Sequence, residues 1–279
     1  MARSLGFIPF LLALMLGSSS SMASEKTELT LGVFPYVSPG QLASFHTPLK
    51  DYLAESLQRP VALVTAPDFD KFVERTSQGQ YDIIITAPHL GRFAETHDGY
   101  KRVAQTGHFV QGIFLARKDS NIQKIEDLRG KTVMIAQPIS IIYQMAVHLL
   151  RQKGLVPGES VTVIETRTHN NAMYAPLRGE ADASVTGTLL WQVLGEEQKD
   201  QMRVIGTTEE APGFMVMANQ RLSTKDINKI KDLLLNFHKV AGSAPYFEAT
   251  GYKQFVNIDD TVMKSLDPYT EILLKPAGP

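Results

Sequence analysis

Polar and aromatic side chains recur where predicted strands pass into predicted helices, which is where open α/β sheets bind their ligands. The seven residues that we select at these positions are Tyr36, Thr86, Ser140, Ile141, Tyr143, His169 and Thr186. Helix N-termini offer free backbone N–H groups and a partial positive charge, so they can hold an anion or another hydrogen-bond acceptor. The pattern therefore predicts reversible capture of a small ligand.

Two of these residues also have a purely structural interpretation. His169 lies in a Thr-His-Asn-Asn sequence, so it could contact the ligand or belong to a helix cap with its imidazole on solvent or a carbonyl oxygen. Tyr36 could stack on the ligand or close the edge of the cleft, and its place in a strand-to-helix loop favours contact. Asp82 opens its predicted strand, so we expect it to cap a turn at the far end of the sheet.

The sequence carries no motif typical of an enzyme. We find no Gly-x-Ser-x-Gly, no phosphate-binding loop, no Gly-x-Gly-x-x-Gly and no His-Glu-x-x-His. The histidines include no i, i+4 pair and no carboxylate at metal-ligand spacing. We therefore expect no catalytic residue, no metal and no cofactor, and an enzyme remains only as an alternative by analogy with similar folds.

Short β-rich runs alternate with helical periodicity along the chain, which is typical of an α/β fold with mainly parallel sheets. One β-α-β-α-β series covers residues 29–86, and a second begins at residue 132. Extended segments over 110–117 and 214–218 would carry the chain away and back. We therefore predict two lobes joined by a hinge, each with a mainly parallel five-stranded sheet.

The predicted lobe boundaries follow from these two crossings. Lobe one comprises residues 24–111 and 212–279, and lobe two comprises residues 112–211. The strand-to-helix loops of both lobes would then face one cleft, and the ligand would lie between them.

The first 23 residues have the order of a secretory signal peptide. Arg3 precedes an apolar run over 5–16, and small residues lead to Ala23, after which we expect cleavage. The run is too short to span a hydrocarbon core about 30 Å thick. We therefore predict export to the periplasm without stable membrane insertion, and the absence of cysteine excludes a lipidated cysteine and disulfides.

The charge balance excludes one class of partner. The chain has 28 Lys and Arg against 29 Asp and Glu, a net charge of −1, so nothing in its electrostatics favours nucleic acid. Its 279 residues are enough for two lobes with separate cores. We expect a monomer whose ligand is a small molecule.

Several short motifs, taken in order, resemble the periplasmic phosphate, phosphite and phosphonate-binding proteins that supply ABC importers. They are Leu31-Gly32-Val33 with Pro35, Gly79-x-Tyr81-Asp82-Ile83, the run 127–133, His169-Asn170-Asn171-Ala172, the run 179–183 and Ala211-Pro212-Gly213. The resemblance covers nearly the whole exported chain. It implies the type 2 periplasmic binding protein fold and a ligand-binding function.

One loop departs from the pattern of that family. The resemblance implies that a loop rich in serine and threonine opens the first helix of lobe two and grips the phosphonate oxygens, and that the histidine matching His169 reaches the ligand. Here the loop reads Gln137-Pro138-Ile139-Ser140-Ile141-Ile142-Tyr143, with Ser140 as its one serine or threonine. We therefore expect a more apolar pocket, suited to a ligand with a hydrocarbon or aromatic part.

Two kinds of protein partner fit such a binding protein. One is the permease of an ABC importer, and the other is the periplasmic domain of a sensor histidine kinase. Both would recognise a ligand-driven closure of the lobes. The sequence alone does not distinguish them.

Overall fold

The computed structural model describes residue 1 and residues 28–274. The strands of this part are β1 (Leu29–Val33), β2 (Val61–Val64), β3 (Ile83–Thr86), β4 (Tyr100–Thr106), β5 (Phe109–Arg117), β6 (Thr132–Ala136), β7 (Thr162–Thr166), β8 (Ala183–Gly187), β9 (Met202–Pro212), β10 (Met215–Asn219) and β11 (Phe255–Val256). The α-helices are α1 (Pro39–Leu57), α2 (Phe69–Ser77), α3 (Pro88–His97), α4 (Ile141–Gln152), α5 (His169–Arg178), α6 (Thr188–Gln192), α7 (Glu196–Gln201), α8 (Thr224–Asn236), α9 (Ala244–Thr250) and α10 (Asp260–Lys264). Short 3-10 turns cover Ile125–Leu128, Phe237–Lys239, Asp267–Tyr269 and Glu271–Leu274. The predicted signal peptide falls outside the described residues except for Met1.

Two sheets organise the chain. The first has six strands in the order β11-β4-β10-β3-β1-β2, and the second has five in the order β7-β6-β8-β5-β9. In the first sheet, β1 pairs in parallel with β2 and β3, while β10 pairs antiparallel with β3 and β4. In the second, β6 pairs in parallel with β7 and β8, while β5 pairs antiparallel with β8 and β9.

The predicted two-sheet α/β fold is confirmed, with two corrections. Both sheets are mixed rather than mainly parallel, because the strands that cross between them run antiparallel to their neighbours. The first sheet also has a sixth strand, since the short β11 pairs with β4.

Local signals explain where the helices begin and which face they bury. The Ser38 side chain accepts a hydrogen bond from the Gln41 N–H, and Pro39 occupies the first turn of α1. The buried residues of this helix are Leu42, His46, Leu49, Leu53 and Leu57. Their spacing of three and four residues places them on one face, which packs against β2 of the first sheet.

Two aspartates make the same hydrogen bonds at corresponding positions of the two sheets. The Asp82 Oδ2 accepts hydrogen bonds from the backbone and hydroxyl of Thr30, at 2.8 and 3.0 Å. The Asp182 Oδ2 accepts the same pair from Thr132, at 2.8 and 2.9 Å. Each aspartate lies before the amino end of its strand, so Asp82 has the turn-capping position that the sequence predicts.

The chain passes between the sheets at two closely packed connections. It leaves the first sheet between β4 and β5 and returns between β9 and β10. The backbone N–H of Thr106 donates to the Phe214 carbonyl oxygen at 2.9 Å, which ties the connections together. A Cβ on Gly213 would lie 2.2 Å from the Thr106 carbonyl oxygen, so only glycine fits there. The lobe boundaries at 111 and 211 remain a prediction.

None of the helices in the described part of the chain is both long enough and apolar enough to cross a membrane.

Candidate ligand-binding site

A pocket lies between the two sheets, where the carboxyl ends of β1, β3, β6, β7 and β8 meet. Its free volume, measured for the centre of a water-sized sphere, is about 40 Å³. Residues close to the strand ends of the first sheet form one wall: Phe34, Tyr36, Phe69, His89, Leu90 and Phe214. Residues of the second sheet form the other: Ile139, Ser140, Ile141, Ile142, His169 and Leu189.

The pocket is apolar and uncharged. The Phe34 ring stacks on the Tyr36 ring with centroids 5.0 Å apart, and it packs edge-to-face with Phe214 at a centroid distance of 4.8 Å. Aromatic rings therefore cover much of the first wall. Among the residues that the structure describes, no Lys, Arg, Asp or Glu lines this pocket. A bound anion would therefore depend on backbone N–H groups and neutral side chains.

The N-terminus of α4 opens onto the pocket. Ser140 precedes the helix, but its side chain does not cap it. The first helical hydrogen bond runs from the Gln144 N–H to the Ser140 carbonyl oxygen at 3.2 Å, so the N–H groups before Gln144 have no partner within the helix. Because Ile141 and Ile142 line the pocket, this end of α4 can receive a hydrogen-bond acceptor from a ligand.

The N-terminus of α3 approaches from the opposite wall. Ala87 precedes this helix and provides no side-chain cap, and Pro88 occupies the first turn. The Gly91 N–H makes the first helical hydrogen bond, to the Ala87 carbonyl oxygen at 2.9 Å. The N–H groups of His89 and Leu90 therefore also lack partners within their helix. Two uncapped helix N-termini thus face one pocket from its two sides.

His169 and Ser140 form a buried pair in the second wall. The Ser140 Oγ and the His169 Nε2 are 3.2 Å apart, and each residue is 5% exposed. Burial lowers the pKa of His169 to about 4, so the imidazole is neutral at pH 7. Its Nδ1 is buried without a hydrogen-bond partner in the described chain. A ligand could supply that partner.

Tyr36 presents its ring to the pocket, while its hydroxyl is engaged by the protein. The Tyr252 hydroxyl donates to the Tyr36 hydroxyl at 3.3 Å, and the His46 Nε2 lies 3.2 Å from the same oxygen. Burial raises the pKa of Tyr36 despite the Tyr252 hydrogen bond. Any ligand contact by Tyr36 is therefore more consistent with stacking than with hydrogen bonding.

Four of the seven residues selected from the sequence line the pocket, and three do not. Tyr36, Ser140, Ile141 and His169 are in its walls. Thr86 is fully buried in β3, and the Thr186 hydroxyl donates to the His169 carbonyl oxygen at 3.3 Å. Tyr143, in α4, is not among the residues that line the pocket, and burial together with the nearby charge of Glu165 raises its pKa. Direct ligand contact by any of the seven remains a prediction.

Two hydrogen bonds join the walls across the pocket. The Asn170 Nδ2, at the start of α5, donates to the Gln41 Oε1 in α1 at 2.6 Å. The His89 Nε2 lies 2.7 Å from the Ile139 carbonyl oxygen. The structure therefore shows direct hydrogen bonds between the two sides of the cleft.

The residue selection from the sequence missed His89 and most of the aromatic wall. His89 lies three residues after β3, and Pro88 marks the first turn of a helix, so the reasoning that selected Thr86 could have reached it. Nothing in the sequence marks Phe69 and Phe214 as pocket residues, because a phenylalanine next to a strand is equally typical of the hydrophobic core. Within the described residues, no group of three or more His, Cys, Asp or Glu side chains is placed to hold a metal ion.

Comparison with known proteins identifies the group to which this architecture belongs. Residues 31–263 match the model of a family described as ABC transporter, phosphonate, periplasmic substrate-binding protein. The fold is similar to PhnD1 from Prochlorococcus marinus in complex with methylphosphonate, with a TM-score of 0.79 at 16% identity over 89% of this chain and 99% of that one.

Two further solved structures share the fold. A binding protein component of the ABC phosphonate transporter of Pseudomonas aeruginosa has a TM-score of 0.77 at 18% identity, over 88% of this chain and 87% of that one. The alkanesulfonate-binding protein SsuA of Xanthomonas axonopodis pv. citri, bound to MOPS, has a TM-score of 0.61 at 18% identity, over 90% and 94%. The family match covers most of the sequence, and this chain therefore belongs to the periplasmic substrate-binding proteins of phosphonate ABC transporters.

Proposed function

We propose that this protein captures a small amphipathic ligand whose anionic or hydrogen-bond-accepting head lies at the N-terminus of α4, next to Ser140. The remainder of the ligand would pack against the aromatic wall. The observation that carries the proposal is the apolar pocket itself, which has uncapped helix N-termini on both sides and no charged side chain in its described lining.

The balance of energies favours such a ligand over a small phosphonate. A hydrogen bond to a charged group contributes about 1.5–3 kcal/mol, so a phosphonate needs several of them once it is removed from water. Around the N-terminus of α4, Ser140 is the one serine or threonine in the loop 137–143, and its Oγ already lies 3.2 Å from His169. An apolar part that buries about 100 Å² would contribute about 2.5 kcal/mol and offset this shortage.

We propose that the protein acts by binding alone. Lobe one, residues 24–111 with 212–279, and lobe two, residues 112–211, would close over the ligand, and the closed form would deliver it to the permease of an ABC importer. Export through cleavage after Ala23 would place the protein in the periplasm as a free monomer. Family membership supports this part of the proposal.

The ligand can be identified by mass spectrometry of protein purified from its host, first intact and then after denaturation. We expect a retained small molecule with one accepting or anionic head and an apolar body. Ser140→Ala should retain less of it, whereas the exposed control Ser265→Ala should retain as much as the unaltered protein. Retention of inorganic phosphate or a one-carbon phosphonate would contradict the proposed ligand.

Delivery to an importer can be separated from input to a sensor kinase by deleting the gene. We expect cells without the protein to lose uptake of the identified ligand. Unchanged uptake together with a lost transcriptional response to that ligand would contradict the transport role.

A further inference from the structure

We propose that His89 determines which ligands bind, because its Nδ1 accepts a hydrogen bond that the ligand must donate. This inference rests on the proposed function, since it concerns a ligand in the same pocket. It adds that the ligand carries an N–H or O–H group as well as its accepting head.

The contact of His89 with Ile139 fixes the position of the ring hydrogen. The Nε2 lies 2.7 Å from the Ile139 carbonyl oxygen, which can only accept a hydrogen bond. The Nε2 must therefore carry the hydrogen. His89 is fully buried, and burial outweighs the Ile139 hydrogen bond in lowering its pKa to about 4, so the ring is neutral at pH 7. In a neutral imidazole with its hydrogen on Nε2, the Nδ1 is a bare acceptor.

The Nδ1 acceptor of His89 is not satisfied by any of the described residues. The His89 Nδ1 is buried and has no hydrogen-bond partner among the described residues, and His89 lines the pocket. A buried acceptor without a partner is costly, and leaving it unpaired when a ligand fills the pocket lowers affinity by about tenfold. A ligand that offers a donor here avoids that loss.

The same ring connects ligand recognition to the contact between the two walls. His89 belongs to α3, on the side of the first sheet, and Ile139 follows β6 of the second. The hydrogen bond from Nε2 to the Ile139 carbonyl oxygen fixes the orientation of the His89 ring. The ring therefore presents Nδ1 to the ligand when the two walls are in contact.

A set of matched compounds tests the donor requirement. The probes are phenylphosphonates and benzenesulfonates that carry a methyl, hydroxyl or amino group at each ring position, because these groups have similar sizes but only the last two donate. Calorimetry should show, for at least one ring position, that the hydroxyl or amino compound binds about tenfold more tightly than the methyl compound. Equal binding of all matched sets would overturn the inference.

Two substitutions separate the two ring nitrogens. His89→Gln places an amide nitrogen near the position of Nε2 and removes the Nδ1 acceptor, so it should abolish the donor preference. His89→Asn keeps an acceptor near Nδ1 but cannot reach Ile139, so it should weaken all compounds and retain the preference. The control His238→Gln, at an exposed position, should change neither. An unaltered preference in His89→Gln would overturn the inference.

Nitrogen-15 spectra of histidine-labelled protein, with the tightest of these probes bound, give a readout that does not depend on affinity. We expect His89 to carry its hydrogen on Nε2, and a hydrogen on Nδ1 would overturn the inference alone. If none of the probes binds, the proposed ligand chemistry itself fails, and the inference fails with it.

Discussion

Three buried histidines and the partly buried His108 should make the folded protein lose stability in mild acid. Burial lowers the pKa of His46 from 6.5 to about 3 and the pKa values of His89, His108 and His169 to about 4. Each ring therefore stays neutral in the folded protein at a pH where the unfolded chain binds a proton. The contribution of these histidines to the free energy of unfolding is fully present above a pH of about 6.5 and is lost as the pH falls toward about 4.

The size of the effect follows from the difference in pKa. Between pH values of about 7.5 and about 5.5, each of these histidines reduces the free energy of unfolding by about 1.3 kcal/mol. The four together amount to about 5 kcal/mol if they titrate independently, which is a large part of the stability of an ordinary domain.

His108 offers the cleanest test. Neither of its ring nitrogens has a hydrogen-bond partner within the described chain, and the ring stacks on Tyr252 with centroids 5.0 Å apart. His108→Phe therefore removes a titrating group without removing a hydrogen bond. Urea unfolding of ligand-free protein should show that the loss between these two pH values shrinks by about 1.3 kcal/mol in this variant.

The matched control is His238→Phe at an exposed position, where the pH-dependent loss should equal that of the unaltered protein. The reasoning is refuted if the unaltered protein is equally stable at both pH values. It is also refuted if His108→Phe shows the full loss.

Three further substitutions test the fold and the site. Gly213→Ala should lower the free energy of unfolding by about 1–3 kcal/mol, because its Cβ would lie 2.2 Å from a carbonyl oxygen. The control Gly40→Ala should change it little, because no atom lies within 4 Å of the added Cβ. Chemical denaturation measures both free energies. Burial raises the pKa of Asp82, but hydrogen bonds from Arg221 and Thr30 outweigh it and leave the pKa lowered. Asp82→Asn should therefore cost about 1.5–3 kcal/mol at neutral pH, and its difference from the unaltered protein should vanish as the pH falls through the lowered pKa, as urea unfolding across pH would show. Tyr143→Ala should lower the melting temperature and leave ligand affinity nearly unchanged, since Tyr143 is not among the residues that line the pocket. A large loss of affinity in calorimetry would place Tyr143 in the site.

The parts of the fold that could be predicted are those with strong local signals. The strand β1 and the helix α1 follow from a buried apolar run, a serine cap and a regular apolar face. The strand β9 is not predicted by the sequence, because it is an edge strand whose buried residues recur at every third position instead of alternating, and it carries Glu209 and Glu210. Both glutamates are exposed and lie within β9.

The same limit applies to the site. The rule that ligands bind beyond the carboxyl ends of strands located the correct loops, but it could not tell which side chains turn toward the pocket. Thr86 and Thr186 lie in strands whose side chains are fully buried. Tyr143 comes directly after Ile142, the last residue of α4 that lines the pocket. The tautomer of His89 depends on a carbonyl oxygen 50 residues later in the chain, which no local pattern reveals.

Calorimetry with inorganic phosphate, phosphite and aminoethylphosphonate tests the proposed departure from phosphonate binding most directly. Since the loop 137–143 has Ser140 as its one serine or threonine and no charged side chain lines the described pocket, we expect all three to bind weakly. A submicromolar dissociation constant for any of them would show that backbone N–H groups alone can hold the oxyanion, and would contradict an amphipathic ligand.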